Sequence, residues 1–415
     1  MSRFNTNTNY PLIPNSNEYM IEQKVVSIHS EDRDIIKWPN SSEFEIELPS
    51  DYLRVSTVKL GTYTFPSNYN TFSLLQSNIG MTFRIINPYN PADYEYFDPV
   101  QNAIFNALEA QATNFIVFIS EGFYTPIQMA TELTNRMNDV VNNAVLIYLK
   151  NDLSLTQQFL DQGGYNQFVV VYNQVTQTLW FGNKSSPFIL TNDSIFYNLK
   201  SDIIGQQCRN YQYPSFDSWG LPSYLGFTRC PTPSTTNSVP TDYPRFFYGD
   251  AVVSGDNGFW LQPDSTYKNK FVHYLEPPAK INLMGEAYFY MEIAGMNNID
   301  ETMPFAIDNF TSTSNMTLGV HNSAFAKIGV TTTPVSQWFD SNDEAVKIYN
   351  PPAERIKRIK VKIRYHNGQL VNFGKFNYSF NLIFNCLTPQ NLRSNTTFDP
   401  TSGNVIGTAV FYKKF

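Results

Sequence analysis

Strict alternation of apolar and polar residues is the clearest pattern along the chain. The sharpest example spans residues 42–48, where three apolar residues alternate with three glutamates: Phe44, Ile46 and Leu48 with Glu43, Glu45 and Glu47. Because successive side chains of a β-strand point to opposite faces, this segment is predicted to be a half-buried strand. A second run, residues 55–65, ends at Pro66, whose missing N–H interrupts a β-ladder. Further strands are predicted at residues 81–86, 114–119, 168–172, 178–181 and 287–293.

One segment has helical periodicity instead. Thr125 is suited to cap a helix, Pro126 to occupy its first position, and Gln128 to complete a capping box three residues after the cap. Apolar residues then follow at helical spacing: Ile127, Ala130, Leu133, Met137 and Val140. We therefore predict one amphipathic helix over residues 126–141.

The most regular alternation lies near the C-terminus. Apolar and basic residues alternate there: Ile359, Val361, Ile363 and Tyr365 with Arg358, Lys360, Lys362 and Arg364. Asn367 and Gly368 follow, and this dipeptide is typical of a type I′ hairpin turn because both central residues of that turn need positive φ. Alternation resumes over residues 376–384, which are predicted to form a further strand, the hairpin partner of the first.

Composition agrees with a chain made mostly of strands. Of 415 residues, 42% are hydrophobic and only 16% are charged, which excludes a disordered protein, while 33 Phe and 26 Tyr favour pleated surfaces. Together with 25 Pro and 20 Gly, which separate strands, these residues predict a mainly β fold. The net charge of −7 provides no general attraction to nucleic acid or anionic membranes. No apolar run is long enough to span a bilayer, so no transmembrane segment is predicted.

The patterns divide the chain into four parts. Residues 1–20 are polar and are predicted to form an extended N-terminal arm, and residues 21–205 the first part of a β-rich domain that includes the helix. Residues 206–270 have little periodicity and many Tyr, Pro, Ser, Gly and Asp, which indicates a loop-rich insertion. Residues 271–415 are predicted to complete the β-rich domain. The loops could contact partners or be ordinary surface loops.

Candidate catalytic chemistry is sparse. The chain has four histidines, no HExxH or CxxC spacing and no glycine-rich phosphate motif, so no catalytic, cofactor-binding or metal-binding residue is predicted. The best acidic cluster contains His29, Glu31, Asp32 and Asp34. It could bind a hard cation, but Arg33 in its middle and Pro39 soon after favour a solvated turn in which Arg33 pairs with a carboxylate.

The sharpest charge feature is a basic row between residues 355 and 364, which contains Arg355, Lys357, Arg358, Lys360, Lys362 and Arg364. Arg358, Lys360, Lys362 and Arg364 are predicted to share one face of a strand and to form a positive stripe. The stripe could contact nucleic acid or an acidic protein surface, or simply be a solvated strand protected against aggregation. The lack of interleaved aromatic residues disfavours nucleic acid. The complementary glutamates suggest that the two charged strands neighbour each other or meet across an interface, with Glu43, Glu45 and Glu47 as partner-binding candidates.

An ordered set of short segments resembles the minor capsid proteins of nucleocytoplasmic large DNA viruses, of the chlorella-virus and marseillevirus kind. The first is Ser27-Ile28-His29-Ser30-Glu31-Asp32-Arg33-Asp34 followed by Pro39-Asn40-Ser41-Ser42-Glu43-Phe44. The later ones are residues 121–125, 225–227, 290–293 with 298–304, 325–328, 351–355 and 368–384. Each segment is short, and their common order over most of the chain carries the resemblance.

The resemblance implies a β-sandwich or jelly-roll-like domain that bridges trimers of the major capsid protein on the inner face of an icosahedral shell. It implies other minor capsid proteins as partners, a location in the virion after assembly in the host cytoplasm, and no enzymatic activity, cofactor or small-molecule substrate. A first alternative is a penton or surface spike with a carbohydrate-binding β-sandwich, its cleft in residues 219–250. A second is a carbohydrate hydrolase with paired carboxylates.

Overall fold

The computed structural model describes most of the chain. The described residues are 19–66, 70–74, 76–191, 220–228, 231–239, 242–247, 258–285, 287–301, 323–330, 337–341, 345–366, 368–389, 391–398 and 405–413. Residues 1–18 of the predicted arm, parts of the predicted insertion at 206–270, and Asn367 of the predicted turn lie outside the described residues.

The described part of the chain contains nineteen strands, four α-helices and two short 3-10 helices, Ser30–Asp32 and Pro91–Tyr94. The strands are β1 Tyr19–His29, β2 Glu43–Pro66, β3 Gly80–Ile85, β4 Phe115–Phe118, β5 Phe168–Asn173, β6 Thr178–Asn183, β7 Phe188–Thr191, β8 Thr232–Pro233, β9 Thr235–Thr236, β10 His273–Leu275, β11 Tyr288–Ile293, β12 Ile299–Asp300, β13 Ser323–Ala324, β14 Ala326–Gly329, β15 Gln337–Ser341, β16 Val346–Arg364, β17 Ser379–Pro389, β18 Asn391–Phe398 and β19 Val405–Lys413. The helices are α1 Pro99–Glu109, α2 Pro126–Leu149, α3 Leu153–Asp161 and α4 Leu221–Tyr224.

The predicted mainly β class is confirmed, with curled antiparallel sheets. The chain forms two compact units, one of Met1–Tyr69 with Glu286–Phe415 and the other of Asn70–Gly285. The second unit is thus inserted into the first. The bounds of these units differ from the predicted divisions at residues 205 and 270. The predicted divisions were placed where the composition changes, whereas the two units are defined by contacts between residues that are distant in sequence.

The first unit is built on one seven-stranded antiparallel sheet. Its order is β1-β17-β2-β16-β11-β14, and β15 also pairs with β2. The register between β2 and β16 shifts where β2 contains Pro49 and where β16 contains Pro351 and Pro352, because proline cannot donate to a ladder. The inward side chains form one core that includes Phe44, Val55, Val58, Phe65, Phe289, Val361, Ile363, Phe373, Phe380 and Phe384.

The predicted hairpin between the basic strand and residues 376–384 is wrong in one respect. A short turn does follow β16: Tyr365 N–H donates to the Gln369 carbonyl at 2.8 Å, and Gly368 has a φ of 87°. The strand after this turn, however, is not the partner of β16. Strand β17 pairs with β1 and β2, so β2 separates it from β16.

The second unit combines two four-stranded sheets with helices. The sheet orders are β4-β3-β7-β8 and β5-β6-β10-β9. The predicted capping box of α2 is confirmed, since Thr125 Oγ1 accepts from the Gln128 N–H and the Gln128 side chain accepts from the Thr125 N–H. The helix runs eight residues beyond its predicted end at 141, to Leu149. Helices α1, α3 and α4 were not predicted. In the part of the chain that is described, no helix is long and apolar enough to cross a membrane.

Candidate assembly surfaces

The two predicted charged strands are neighbours in the first unit. In the antiparallel register of β2 and β16, the three glutamates and three of the basic residues lie directly opposite each other as Glu47 with Arg358, Glu45 with Lys360, and Glu43 with Lys362. The structure therefore brings together six of the seven sequence-predicted contact residues. We call this surface the charged ladder.

The charged ladder is a mosaic of ion pairs rather than a positive stripe. Cations in the ladder and beside it contact carboxylates in the following pairs: Lys360 with Glu43 at 2.8 Å, Lys357 with Glu47 at 2.6 Å, Lys37 with Glu45 at 3.7 Å, and Arg355 with Asp51 at 2.9 Å. The hydrogen bond from Lys357, and then its charge, lower the pKa of Glu47. Each exposed pair contributes little stability. Because three glutamates lie opposite three basic residues, their charges balance and the net field of the ladder is weak.

Arg364 departs from the predicted stripe, because its side chain is buried with only 1% of the residue exposed. Its guanidinium contacts the carboxylates of Glu301 and Glu292, and it lies over the ring of Tyr290 at 5.3 Å. Burial opposes the charged guanidinium, but its hydrogen bonds to Glu301 and Glu292 outweigh this and raise its pKa. His366 Nδ1 lies 3.1 Å from the second Glu301 oxygen. Arg364 is therefore part of a buried ionic cluster and not a surface contact.

The acidic segment after β1 forms a turn. Residues 30–32 are a single 3-10 turn, and Arg33 donates to the backbone carbonyls of Ser30 at 2.6 Å and Trp38 at 2.9 Å. The predicted Arg33–carboxylate pair is thus replaced by bonds to carbonyl groups. Within the described residues, no group of three or more His, Cys, Asp or Glu side chains is placed to hold a metal ion.

Strand β1 is a long edge that the sequence patterns did not single out. All eleven residues pair with β17 on one side, and no described strand pairs with β1 on the other. Its outward face carries two exposed aliphatic side chains, Ile21 at 65% and Val25 at 60%. Its inward face places Val26 and Ile28 in the core. The β-branched residues between positions 21 and 28 were the available sequence signal.

The C-terminal strands form a separate hairpin. Strands β18 and β19 pair with each other from Asn391 opposite Lys413 to Phe398 opposite Val405. They form a two-stranded sheet with no third strand among the described residues. A two-stranded hairpin is marginally stable at best in water, so it is stabilised mainly by what it packs against.

A polar cleft of about 300 Å³ lies in the second unit. The rings of Tyr89 and Tyr94 stack at 5.2 Å and 14°, and 44% of Tyr94 is exposed. The polar lining residues are Asn87, Asn90, Asp93, Ser185, Thr236, Asn269 and His273. Asn269 is buried, and its Oδ1 accepts no hydrogen bond from the described residues. Burial lowers the pKa of His273 to about 4, so its ring is neutral at pH 7. A sugar cleft was predicted in residues 219–250, and among the described residues of that range only Thr236 lines this cleft.

Comparisons with known proteins give distant similarities. No known protein family matches the chain, and no curated protein matches it in sequence. Among solved structures it is similar to the mavirus penton protein, with a TM-score of 0.34, 6% identity, and 88% of this chain and 99% of that chain covered. It is also similar to a chain of the Sputnik virophage, with a TM-score of 0.35, 11% identity, and 88% and 98% covered. Similarities at this level define neither a fold nor a role for this chain.

Proposed function

We propose that this chain is a structural, non-enzymatic subunit of a viral capsid, and more specifically a minor capsid protein that bridges major capsid protein trimers on the inner face of a large icosahedral shell. The resemblance of its ordered sequence segments to minor capsid proteins first suggests this role. The virion is then its location, and the major capsid protein and other minor capsid proteins are its partners.

The observation that carries the proposal is the C-terminal hairpin. Strands β18 and β19 pair only with each other in the described part of the chain, and such a hairpin gains stability when a further strand or surface covers it. Strand addition from a neighbouring molecule supplies this through backbone hydrogen bonds. We infer that the hairpin docks on a neighbouring capsid subunit.

The charged ladder is the second proposed contact. Its ion pairs are exposed and nearly balanced in charge, which suits a surface that selects the orientation of a partner rather than one that attracts any anion. We propose that Glu43, Glu45, Glu47, Arg358, Lys360 and Lys362 contact a capsid protein of complementary pattern, and we exclude the buried Arg364 from this set.

Two variants of the full chain test the proposal by co-assembly with the major capsid protein of the same virus. Reversing the charges of Lys360 and Lys362 to Glu should reduce incorporation into particles more than it lowers the melting temperature, because the ladder's pairs are exposed. Deleting residues 391–413 should also reduce incorporation. Reversal of Lys375, an exposed residue outside the ladder, is the matched control. Unchanged incorporation of both variants would remove the proposal, and a reconstruction of the particle would test the inner-face position.

The cleft of the second unit favours a second candidate function, that of a penton or surface spike that binds glycans. The exposed ring of Tyr94 offers a flat face to a sugar, and amide and carboxylate groups surround it. The described lining residues include Asp93 but neither Lys nor Arg, so neutral glycans are the expected ligands. A glycan array should give binding that Tyr94→Ala abolishes and Phe97→Ala, an exposed aromatic outside the lining, leaves intact. An array without binding would leave the inner-face role as the better candidate.

A further inference from the structure

Strand β1 has the features of an edge that can pair with another molecule, since no described strand lies on its outer side. It is eleven residues long and regular throughout its pairing with β17, whereas the opposite edge of the same sheet, β14, has only four residues. Proteins protect exposed edges with short strands, prolines, bulges or inward-pointing charges. Strand β1 contains no proline and no register shift, and its outward face carries Ile21 and Val25. Its inward face does carry two charges, Glu22 and Lys24, but they have opposite signs and lie 4.0 Å apart, so they do not repel a second strand of complementary charge. Such an edge is suited to extension by a further strand.

The sequence of β1 is complementary to itself when it runs antiparallel to a second copy. Centred on Gln23, this pairing places Glu22 opposite Lys24 of the second copy, and Lys24 opposite the second copy's Glu22. In the same register Ile21 lies opposite Val25 of the second copy, twice by symmetry. Two opposite-charge pairs and two aliphatic pairs therefore flank the centre, and cross-strand pairs of both kinds stabilise a sheet.

Symmetry restricts which residue of β1 can lie at the centre of such a pairing. A twofold axis perpendicular to the sheet keeps the core residues Val26 and Ile28 of both copies on one face, so the axis must pass beside a single residue position of β1. Centring on Glu22 or on Lys24 would place like charges opposite each other. Of these positions, only centring on Gln23 pairs every charge at positions 22 and 24 with its opposite.

We propose that β1 is a homodimerisation edge, at which two copies of this chain join their seven-stranded sheets through antiparallel β1–β1 pairing centred on Gln23. In the free chain Glu22 and Lys24 are both partly exposed, and their charged groups are 4.0 Å apart along the strand. Both side chains are therefore available to a second copy. This inference does not depend on the capsid role, because a purified chain can dimerise without other proteins.

Charge variants of the full chain test the pairing. Light scattering after size exclusion, over a series of concentrations, should show a dimer for the unaltered chain. Lys24→Glu places four carboxylates at the centre and should raise the dimer dissociation constant by about tenfold or more. The double variant Glu22→Lys with Lys24→Glu restores opposite charges in this register and should restore the dimer. Lys375→Glu makes the same charge change elsewhere in the unit and should leave the dimer unaffected.

Cysteine cross-linking tests the register. Residues directly opposite in an antiparallel pair lie about 4.5–5.5 Å apart, within the range of a disulfide, so Gln23→Cys should form a covalent dimer on mild oxidation. The two copies of residue 27 would be eight positions out of register, about 27 Å apart, so Ser27→Cys should not cross-link. A monomer at every concentration, or a dimer that is insensitive to Lys24→Glu and not trapped by Gln23→Cys, would overturn the proposal.

Discussion

Replacing Arg364 by Ala should destabilise the first unit by about 3–5 kcal/mol, which is the usual result of removing one partner from a buried ion pair. The guanidinium is almost fully buried and has contacts on every side. It bonds to both carboxylates of the cluster, donates to the Tyr365 carbonyl at 3.1 Å, and stacks on Tyr290. Removal leaves Glu301, whose side chain is 1% exposed, with a buried charge.

Arg355 is the matched control for this effect. It also contacts a carboxylate, that of Asp51 at 2.9 Å, but its side chain is 52% exposed. Solvent screens this pair, so Arg355→Ala should cost about 1 kcal/mol or less. The two variants remove the same type of side chain from the same strand. The difference between their losses of stability therefore measures the effect of burial.

Hydrogen exchange of peptides from β16, followed by mass spectrometry, measures the opening free energy of this unit without interference from the other one. A third variant, Arg364→Met with Glu301→Gln and Glu292→Gln, should recover part of the loss because it leaves no buried charge. If Arg364→Ala and Arg355→Ala reduced protection equally, the cluster would be solvated in solution and the reasoning from burial would be refuted.

Two further predictions concern the second unit. Burial lowers the pKa of His273 in the folded state to about 4, against about 6.5 for a solvated histidine, so the folded state binds fewer protons between these pH values. Stability should therefore be full above pH 6.5 and fall by about 3 kcal/mol on acidification to pH 4. Urea unfolding across this range should show the slope, and His273→Gln should flatten it; an equal slope in both proteins would contradict the assignment. Thr125→Ala removes one half of the α2 capping box and should destabilise the helix by about 1 kcal/mol, measured as lost exchange protection in its first turn. No loss of protection there would show that the cap is dispensable.

Local features of the fold were predictable because they depend on neighbouring residues. The alternation at residues 42–48, the end of β2 at Pro66 and the capping box of α2 each follow from side-chain direction or backbone chemistry within a few positions. Helix α1 could also have been found, because Asp98 and Pro99 are a cap and a first-position proline.

Long-range features were not predictable in the same way. The turn after β16 signals a reversal of the chain but does not specify which strand lies beside it, and β2 occupies the place expected for β17. Arg364 follows the same alternating pattern as Lys360, so the sequence places both on one face of the strand. Its side chain is nevertheless buried against the carboxylate of Glu301, a residue that is distant in sequence. The complementary charges of the two strands were enough to suggest that they pair. That Arg364 is buried and does not belong to the ladder could be learned only from the fold.

The charged ladder and the edge strands of the first unit are expected to contribute to assembly in different ways. On the charged ladder and beside it, the exposed cations Arg355, Lys357 and Lys360 each contact a carboxylate of the same chain. Binding a partner there would exchange one ion pair for another, with little net gain in free energy. An edge strand gains new backbone hydrogen bonds and buries aliphatic surface, as Ile21 and Val25 would at β1. Affinity between subunits is therefore expected to come from strand pairing at β1 and at the β18–β19 hairpin, and the ladder is expected to decide which orientation of a partner is accepted.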